Sequence, residues 1–325
     1  MSMGKKKFHI SIAMTTYNGE RFLKEQLDSF LWQTRLPDEL VVCDDGSTDR
    51  TLEILENFAR TAPFPVKIFR NPQRLGFSKN FEKAINLCQG ELIFLSDQDD
   101  IWMPNKIVEI EKVFIKYPFA GVVFSDAFLV NENLIPTNKS LFDHYGINIE
   151  KIINFSPGKF IKKYNITNAI IGAVIAIKSE IREIIFPIPS NWSHDGWITF
   201  AGGLVAHVFL LPIKLIKYRR HANQLYGISA KLIEQYNKSK KVERDYYIRE
   251  SLKWENTLNH KVFKNIILDE FIKEIITQIS IHLKTRGSLP ENKFQRLPII
   301  LREVKYRRYQ KYSNGWKSII KDVFF

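Results

Sequence analysis

Cysteine is nearly missing. Cys43 and Cys88 are the only two in 325 residues. A disulfide framework is thereby excluded, and the Cys and His spacing of a zinc centre is absent. Both cysteines fall in apolar stretches, so they read as reduced core residues of a cytosolic protein. Long hydrophobic runs are missing too. Residues 169–177 and 204–213 come nearest, but they are short or broken. A membrane span needs roughly 18 apolar residues. Lys5, Lys6 and Lys7 lead into a strand-like pattern rather than the apolar core of a signal peptide. The chain has neither an internal repeat nor a low-complexity linker. Acids are in deficit: 35 Asp and Glu stand against 48 Lys and Arg, a net charge of +13. Such charge can attract nucleic acid. No nucleic-acid module is recognisable, and nucleic acid is not expected as a partner. The length allows one large α/β domain plus an appendage.

The acids that are present cluster. Ser96-Asp97-Gln98-Asp99-Asp100 directly follows the apolar run Leu92-Ile93-Phe94-Leu95. This pattern predicts a buried strand that delivers carboxylates to the edge of a sheet. In an open α/β sheet that edge is where ligands bind. Crowded carboxylates repel one another unless a positive charge joins them, and a divalent cation carrying a phosphate ligand does so. The alternative is a solvated acidic turn or a helix cap.

Two earlier segments bear on that choice. Residues 8–14 predict a strand that ends in Thr15-Thr16-Tyr17-Asn18-Gly19, and Phe22, Leu23, Leu27, Phe30 and Leu31 then mark a helix face. Residues 39–43 predict a second strand ending in Asp44-Asp45-Gly46-Ser47-Thr48-Asp49, with a helix after it through Leu52, Leu55 and Phe58. A third strand (66–70), a helix from Phe77 and the strand before Ser96 complete the series. Alternation at these lengths implies βαβ units and a mostly parallel sheet. Three polar clusters then converge on one sheet edge, which coincidental turn chemistry explains poorly.

Thr-Thr-Tyr-Asn-Gly, Asp-Asp-Gly-Ser-Thr-Asp and Ser-Asp-Gln-Asp-Asp-Ile-Trp, in this order, resemble glycosyltransferase family 2, inverting enzymes of the GT-A fold. The resemblance is specific over residues 8–105 and weaker to about 225. A Gln inside the acidic motif and a later Tyr-Arg-x-His are similar to rhamnosyltransferase-like enzymes of bacterial surface polysaccharides. The resemblance implies an α/β GT-A domain over 1–228, with a nucleotide-sugar half at about 8–105 and an acceptor half at about 106–228. It implies that Thr15, Tyr17, Asn18 and Glu20 hold the nucleotide, and that Asp45, with Asp44, meets the base. Asp97-Gln98-Asp99 matches the family's Asp-x-Asp motif. Asp97 would sit near ribose and metal, and Asp99 would ligate Mn²⁺ or Mg²⁺. Those ions take hard oxygen ligands and neutralise a leaving diphosphate. Asp100 would bind sugar hydroxyls or cap a helix near Pro104. Trp102 would wall the sugar pocket or belong to the core.

The second half should supply the acceptor side. Residues 168–177 predict a strand in which Gly172 allows close backbone approach. In Ser193-His194-Asp195-Gly196-Trp197, Asp195 stands where the family carries its general base. Inversion needs a carboxylate opposite the leaving group to take the acceptor's proton. An N-cap is the other reading of Asp195, and His194 would touch substrate or pack. The strand up to Tyr218 runs into Arg219, Arg220 and His221. In similar enzymes a His here completes the metal shell and an Arg meets the diphosphate; a structural role is the alternative. Lys79 and Arg74 would touch phosphate or solvent.

From residue 230 onward, 21 Lys and Arg stand against 11 Asp and Glu, so this tail carries +10 of the net charge. It reads as a mainly helical region, 229–325, with an apolar stripe at Ile266, Ile267, Phe271, Ile275, Ile276 and Ile279. Its basic and aromatic end suits an anionic membrane surface; packing on the core or a dimer contact are the alternatives. The expected activity is metal-dependent transfer from a UDP-, dTDP- or GDP-sugar to a saccharide or lipid-linked acceptor, in the cytoplasm or on the inner face of the inner membrane. A nucleotidyltransferase acting on a sugar phosphate and a non-catalytic membrane-associated scaffold are the competing readings.

Overall fold

The computed structural model describes residues 7–163, 171–221, 240–261, 263 and 270–324. The chain divides into two compact units, residues 1–161 with 168–227, and residues 162–167 with 228–325.

The first unit begins with strictly alternating elements. They are β1 (Ile10–Thr16), α1 (Leu23–Leu31), β2 (Glu39–Asp44), α2 (Thr51–Thr61), β3 (Val66–Arg70), α3 (Phe77–Leu87) and β4 (Leu92–Ser96). Then follow β5 (Ile101–Trp102), α4 (Lys106–Lys116), β6 (Ala120–Asn131), β7 (Pro136–Ser140), β8 (Ile153–Phe155), β9 (Ile175–Lys178), α5 (His194–Trp197) and β10 (His207–Arg220). Among the described residues the sheet runs β3-β2-β1-β4-β9-β6-β10-β5, with β7 on β6 and β8 on β10. β1 to β4 are parallel, as the βαβ alternation requires. β1, β2 and β4 are near-continuous apolar runs because helices cover both faces. Leu23, Leu27 and Phe30 of α1 are buried at helical spacing. Each such side chain contributes about 1.5–3 kcal/mol.

Register sets the functional edge. Thr16 pairs with Asp44, and Met14 with Ser96, so β1, β2 and β4 end at the same level. β9 inserts antiparallel between β4 and β6. β10 runs parallel to β6 and pairs antiparallel with β5, Lys217 opposite Ile101. That pairing carries Arg219 and His221 to the loop that holds Asp99 and Asp100.

Three sequence expectations are corrected. β1 is shifted to residues 10–16, its first paired residue being Ile10, opposite Leu92. The expected strand at 168–177 is a 3₁₀ turn over Gly172–Val174 followed by β9; residues 168–170 lie outside those described. The close approach to Gly172 comes from the His194 ring, not from backbone.

The second unit holds α6 (Lys240–Thr257), α7 (Glu270–Gly287), α8 (Lys293–Lys305), α9 (Arg308–Tyr312) and α10 (Trp316–Phe324). The buried stripe of α7 is Ile272, Ile276, Ile279 and Leu283, an i, i+4, i+7, i+11 series. Phe271 points outward, and Ile266 and Ile267 lie outside the described residues. Leu289, Ile300, Tyr309 and Ile319 form a small core beside it. No helix among the described residues is long and apolar enough to cross a membrane.

Candidate active site

The loops after β1 and β2 are laced together. Backbone N–H groups of Asn18, Gly19 and Glu20 donate to Ser47 Oγ, Thr51 Oγ1 and Asp49 Oδ2 at 2.8–3.1 Å. In return Asn18 Oδ1 accepts from Thr48 N at 2.8 Å and Glu20 Oε2 from Arg50 N at 3.0 Å. Asn18 adopts a left-handed φ of 47°, which Asn tolerates better than most residues. Asn18 and Glu20 thus hold loop to loop. Thr15 and Tyr17 are half-buried beside them, and the Arg74 guanidinium lies 3.9 Å over the Tyr17 ring.

Asp44 is fully buried. It accepts from Gly46 N, Ser47 N, Ser47 Oγ and Thr16 Oγ1, so its work is to shape the turn. Asp45 accepts from Asn71 Nδ2, Leu75 N and Gly76 N at 2.7–2.9 Å and closes the loop after β3. Lys79 Nζ bonds Glu82 Oε2 and the Ile188 carbonyl, both at 2.7 Å, fastening α3 to the segment before α5.

The acidic loop after β4 is the centre of the site. Gln98 spans to the first loop: its Oε1 accepts from Tyr17 N at 2.9 Å and its Nε2 donates to Tyr17 O at 3.1 Å. Asp99 Oδ2 stands 2.8 Å from His221 Nε2. Asp100 is fully buried; its Oδ1 accepts from Arg219 N at 2.9 Å, while Oδ2 has no partner among the described residues. Asp100 does not cap α4, whose N-cap is Asn105. Burial, then the Asp99 and Asp195 charges, push Asp97 up to about 8. Burial, then Asp99 and Asp97, raise Asp100 well above the carboxylate range. Lys106 is buried beneath them, donating to Ala173 O at 2.7 Å and lying 3.9 Å over the Trp102 ring. Burial pulls its ammonium down to about 7. Trp102 itself is core, edge-on to Phe30.

Arg219 is almost fully buried. It donates from Nε to Asp99 O at 2.8 Å and from Nη1 to Glu132 O at 2.7 Å, pairs with Glu25, and stacks over Phe22. Its guanidinium therefore supports the acidic loop from behind.

α5 brings Asp195 to the same place, close enough that its charge acts on Asp97 and on the Tyr145 hydroxyl. The helix is capped by Ser193, whose Oγ accepts from Gly196 N, so the cap reading of Asp195 is set aside. Asp195 Oδ1 accepts from Gly196 N at 2.7 Å. His194 is buried and stacked on Phe81 at 3.8 Å, and neither ring nitrogen has a partner among the described residues.

Asp97, Asp99, Asp100, Asp195 and His221 thus gather at one end of the sheet, whereas Glu20, Asn18 and Lys79 are engaged in bonds of their own. The sequence marks Gln98 only as a subgroup feature and does not single out Lys106. Gln98 sits inside a motif read for its carboxylates, and a buried lysine has no local signature. Among the described residues no three His, Cys, Asp or Glu side chains form a metal cage by themselves. The donor set still suits Mg²⁺ or Mn²⁺. Such ions keep one or two protein ligands and take the rest from phosphates and water, and His221 Nε2 and Asp99 Oδ2 already face each other. A cavity of about 300 Å³ bordered by Phe8, Glu91 and Lys178 lies at the opposite sheet edge and takes no part.

Comparison with known proteins bears on the family and the fold. The model of "Glycosyl transferase family 2" matches residues 11–184. The chain is 27% identical over 281 residues to the dTDP-rhamnosyl transferase RfbG of Shigella flexneri, covering 82% of this chain and 92% of that protein. It resembles S. aureus TarS 1–349 in complex with UDP-GlcNAc, with a TM-score of 0.59, 19% identity, and coverage of 97% of this chain and 81% of that one. It also resembles the mannosyltransferase PcManGT from Pyrobaculum calidifontis in complex with GDP-Man and Mn²⁺, with a TM-score of 0.53, 15% identity, and coverage of 98% and 85%. At these identities the two structures speak to the fold, which is of the GT-A type.

Proposed function

Because the chain belongs to glycosyltransferase family 2, we propose that it is a metal-dependent, inverting member that moves a sugar from a nucleotide-sugar donor to a saccharide or lipid-linked saccharide in bacterial surface-polysaccharide assembly. The observation that carries this reading is the facing pair Asp99 and His221, 2.8 Å apart at the sheet edge, with the Asp97 and Asp195 carboxylates acting on each other beside it. The first donor to test is dTDP-rhamnose, since RfbG is a dTDP-rhamnosyl transferase.

The roles follow from placement. The laced loops after β1 and β2 receive the nucleoside. Asp99 and His221 would hold the divalent cation, which would supply the positive charge a leaving diphosphate needs. Gln98 and Arg219 fix the acidic loop from its two sides. Asp195 takes the proton of the acceptor hydroxyl; the oxygen then bonds to the anomeric carbon as the bond to the diphosphate breaks on the opposite face. A lipid-linked acceptor would be met at the cytoplasmic face of a membrane.

The test is release of nucleoside diphosphate from dTDP-, UDP- and GDP-sugars with Mn²⁺, with Mg²⁺ and with chelator, with donor binding measured in parallel. Binding and release from one donor, both lost with chelator, are expected. Binding that ignores chelator would overturn metal dependence, and absence of any donor binding would overturn the whole reading.

A further inference from the structure

Two helices near the C-terminus, α8 and α10, carry apolar residues on both sides. A helix of a water-soluble domain turns its apolar stripe to the core and its charges to solvent. α8 departs from this: its buried side carries Arg296 at 4% and Glu303 at 0% exposure beside Ile300, while Phe294 at 84%, Leu297 and Leu301 at 64% look outward. In α10, Ser318 and Asp322 are buried beside Ile319, and Trp316 at 70%, Ile320 and Phe324 are exposed. The outward residues recur at i, i+3, i+7 in α8 and i, i+4, i+8 in α10, so each helix has a continuous apolar stripe.

The buried charges are satisfied, so this arrangement is built in. Glu303 accepts from Arg308 at 2.6 Å and faces His282 Nδ1 at 2.8 Å. Asp322 takes two bonds from Arg286 at 2.7 and 2.8 Å and one from the Tyr309 hydroxyl at 2.6 Å. With its polar side closed by its own ion pairs, each helix leaves a strip of apolar surface that something else must cover.

The surrounding charge indicates what that is. Lys293, Arg302, Lys305, Arg307, Lys311 and Lys317 are all exposed, and none pairs with a carboxylate among the described residues. Of the acids from 290 to 324, Glu303 and Asp322 are buried, which leaves Glu291 alone at the surface. Aromatic and aliphatic side chains fringed by bases, with a tryptophan among them, match the interface of an anionic bilayer. Basic residues near such a surface add electrostatic attraction that salt screens.

We propose that the C-terminal helical unit docks on an anionic lipid surface through the outward faces of α8 and α10, with Phe294, Leu297, Leu301, Trp316, Ile320 and Phe324 entering the interface. The docking does not depend on the catalytic reading, because it is measured without turnover.

The experiment is co-sedimentation of the full chain with vesicles of phosphatidylcholine alone and of phosphatidylcholine with phosphatidylglycerol. Binding to the anionic vesicles only, weakened by salt, is expected. Leu301→Glu combined with Trp316→Gln should lower the partition coefficient at least about tenfold with an unchanged circular dichroism spectrum. If that variant loses structure, Arg302→Glu with Lys305→Glu and Lys317→Glu tests the same surface through exposed charges, with a similar loss expected. No binding to either vesicle, equal binding to both, or unchanged binding of folded variants overturns the proposal. A dimer in solution that the Leu301→Glu, Trp316→Gln variant breaks assigns the surface to a second copy and overturns it as well.

Discussion

Asp99 and His221 lie 122 positions apart and meet at 2.8 Å, carboxylate oxygen to imidazole nitrogen. The meeting is a product of topology. β10 pairs antiparallel with β5, so the residues that precede β5 and those that follow the paired segment of β10 reach the same corner. The first prediction tests the pair. Asp99→Ala and His221→Ala should each weaken Mn²⁺-dependent binding of nucleoside diphosphate by about tenfold or more. Titration calorimetry of the folded variants with and without chelator reads this directly. Unaltered metal-dependent affinity in both would remove them as ligands.

Asp195 should separate chemistry from binding. Asp195→Asn keeps the shape of the side chain and loses its basicity, so turnover should fall by about 10²–10⁴ with donor affinity nearly intact. Single-turnover measurements with saturating donor distinguish the two effects. A folded variant with normal turnover would dismiss Asp195 as the base.

Arg219 should matter for stability before it matters for catalysis. Its guanidinium serves Asp99 O, Glu132 O and Glu25 from a buried position. Arg219→Met strands the Asp99 and Glu132 carbonyls while the half-exposed Glu25 returns to water, and a stranded buried acceptor costs about 1–3 kcal/mol. Arg219→Lys should recover only part, since one ammonium cannot span three directions. Urea denaturation monitored by tryptophan fluorescence gives the comparison.

Gly172 should not accept a side chain. A Cβ there would stand 2.5 Å from His194 Nε2, and the ring is held by its stack on Phe81. Gly172→Ala should destabilise by about 1–3 kcal/mol, and adding His194→Ser should relieve part of that cost. Equal stability of Gly172→Ala and the parent chain in urea would show that the ring yields freely.

Acidification should loosen the helical unit. Burial, with the Arg286 charge, holds His282 below 6.5 against the pull of Glu303. Burial alone would raise Glu303, but hydrogen bonds from His282 and Arg308 outweigh it and hold the carboxyl below 4.5. A histidine whose pKa is lowered on folding takes up its proton more readily when unfolded, so stability falls as pH drops below 6.5. A depressed carboxyl contributes stability above 4.5 that is lost as pH falls through its folded value. Both signs agree. Hydrogen exchange of amides 293–305, corrected for intrinsic rates, should show protection that declines from neutral pH downward. Constant protection would contradict the sign worked out here.

Much of the catalytic unit was legible because its signals are local. An apolar run that stops at a carboxylate marks a strand end whatever packs around it, and Asp44, Asp97 and Asp99 were placed in that way. Directions were not legible. Arg219 stands in sequence where an anion contact would be read, yet it turns inward, because Glu25 and the Glu132 carbonyl come from distant elements. The apolar run around Gly172 hid a 3₁₀ turn, since periodicity cannot tell a continuous strand from a strand entered through a turn. The tail misled in a different way. Its apolar residues keep helical spacing on either side of the helix, and only the buried partners of Glu303 and Asp322 reveal which side faces in.

The lacing between residues 18–20 and 47–51 has a thermodynamic consequence. Side chains and amides of the chain itself hold both loops in place before any substrate arrives. On the proposed function, the nucleoside therefore enters a preorganised mould, and little conformational entropy is lost when it binds. Selection among bases then depends on the fixed shape of the mould, and relaxing it, for instance by Thr51→Val, should broaden base preference more than it lowers affinity for the preferred base.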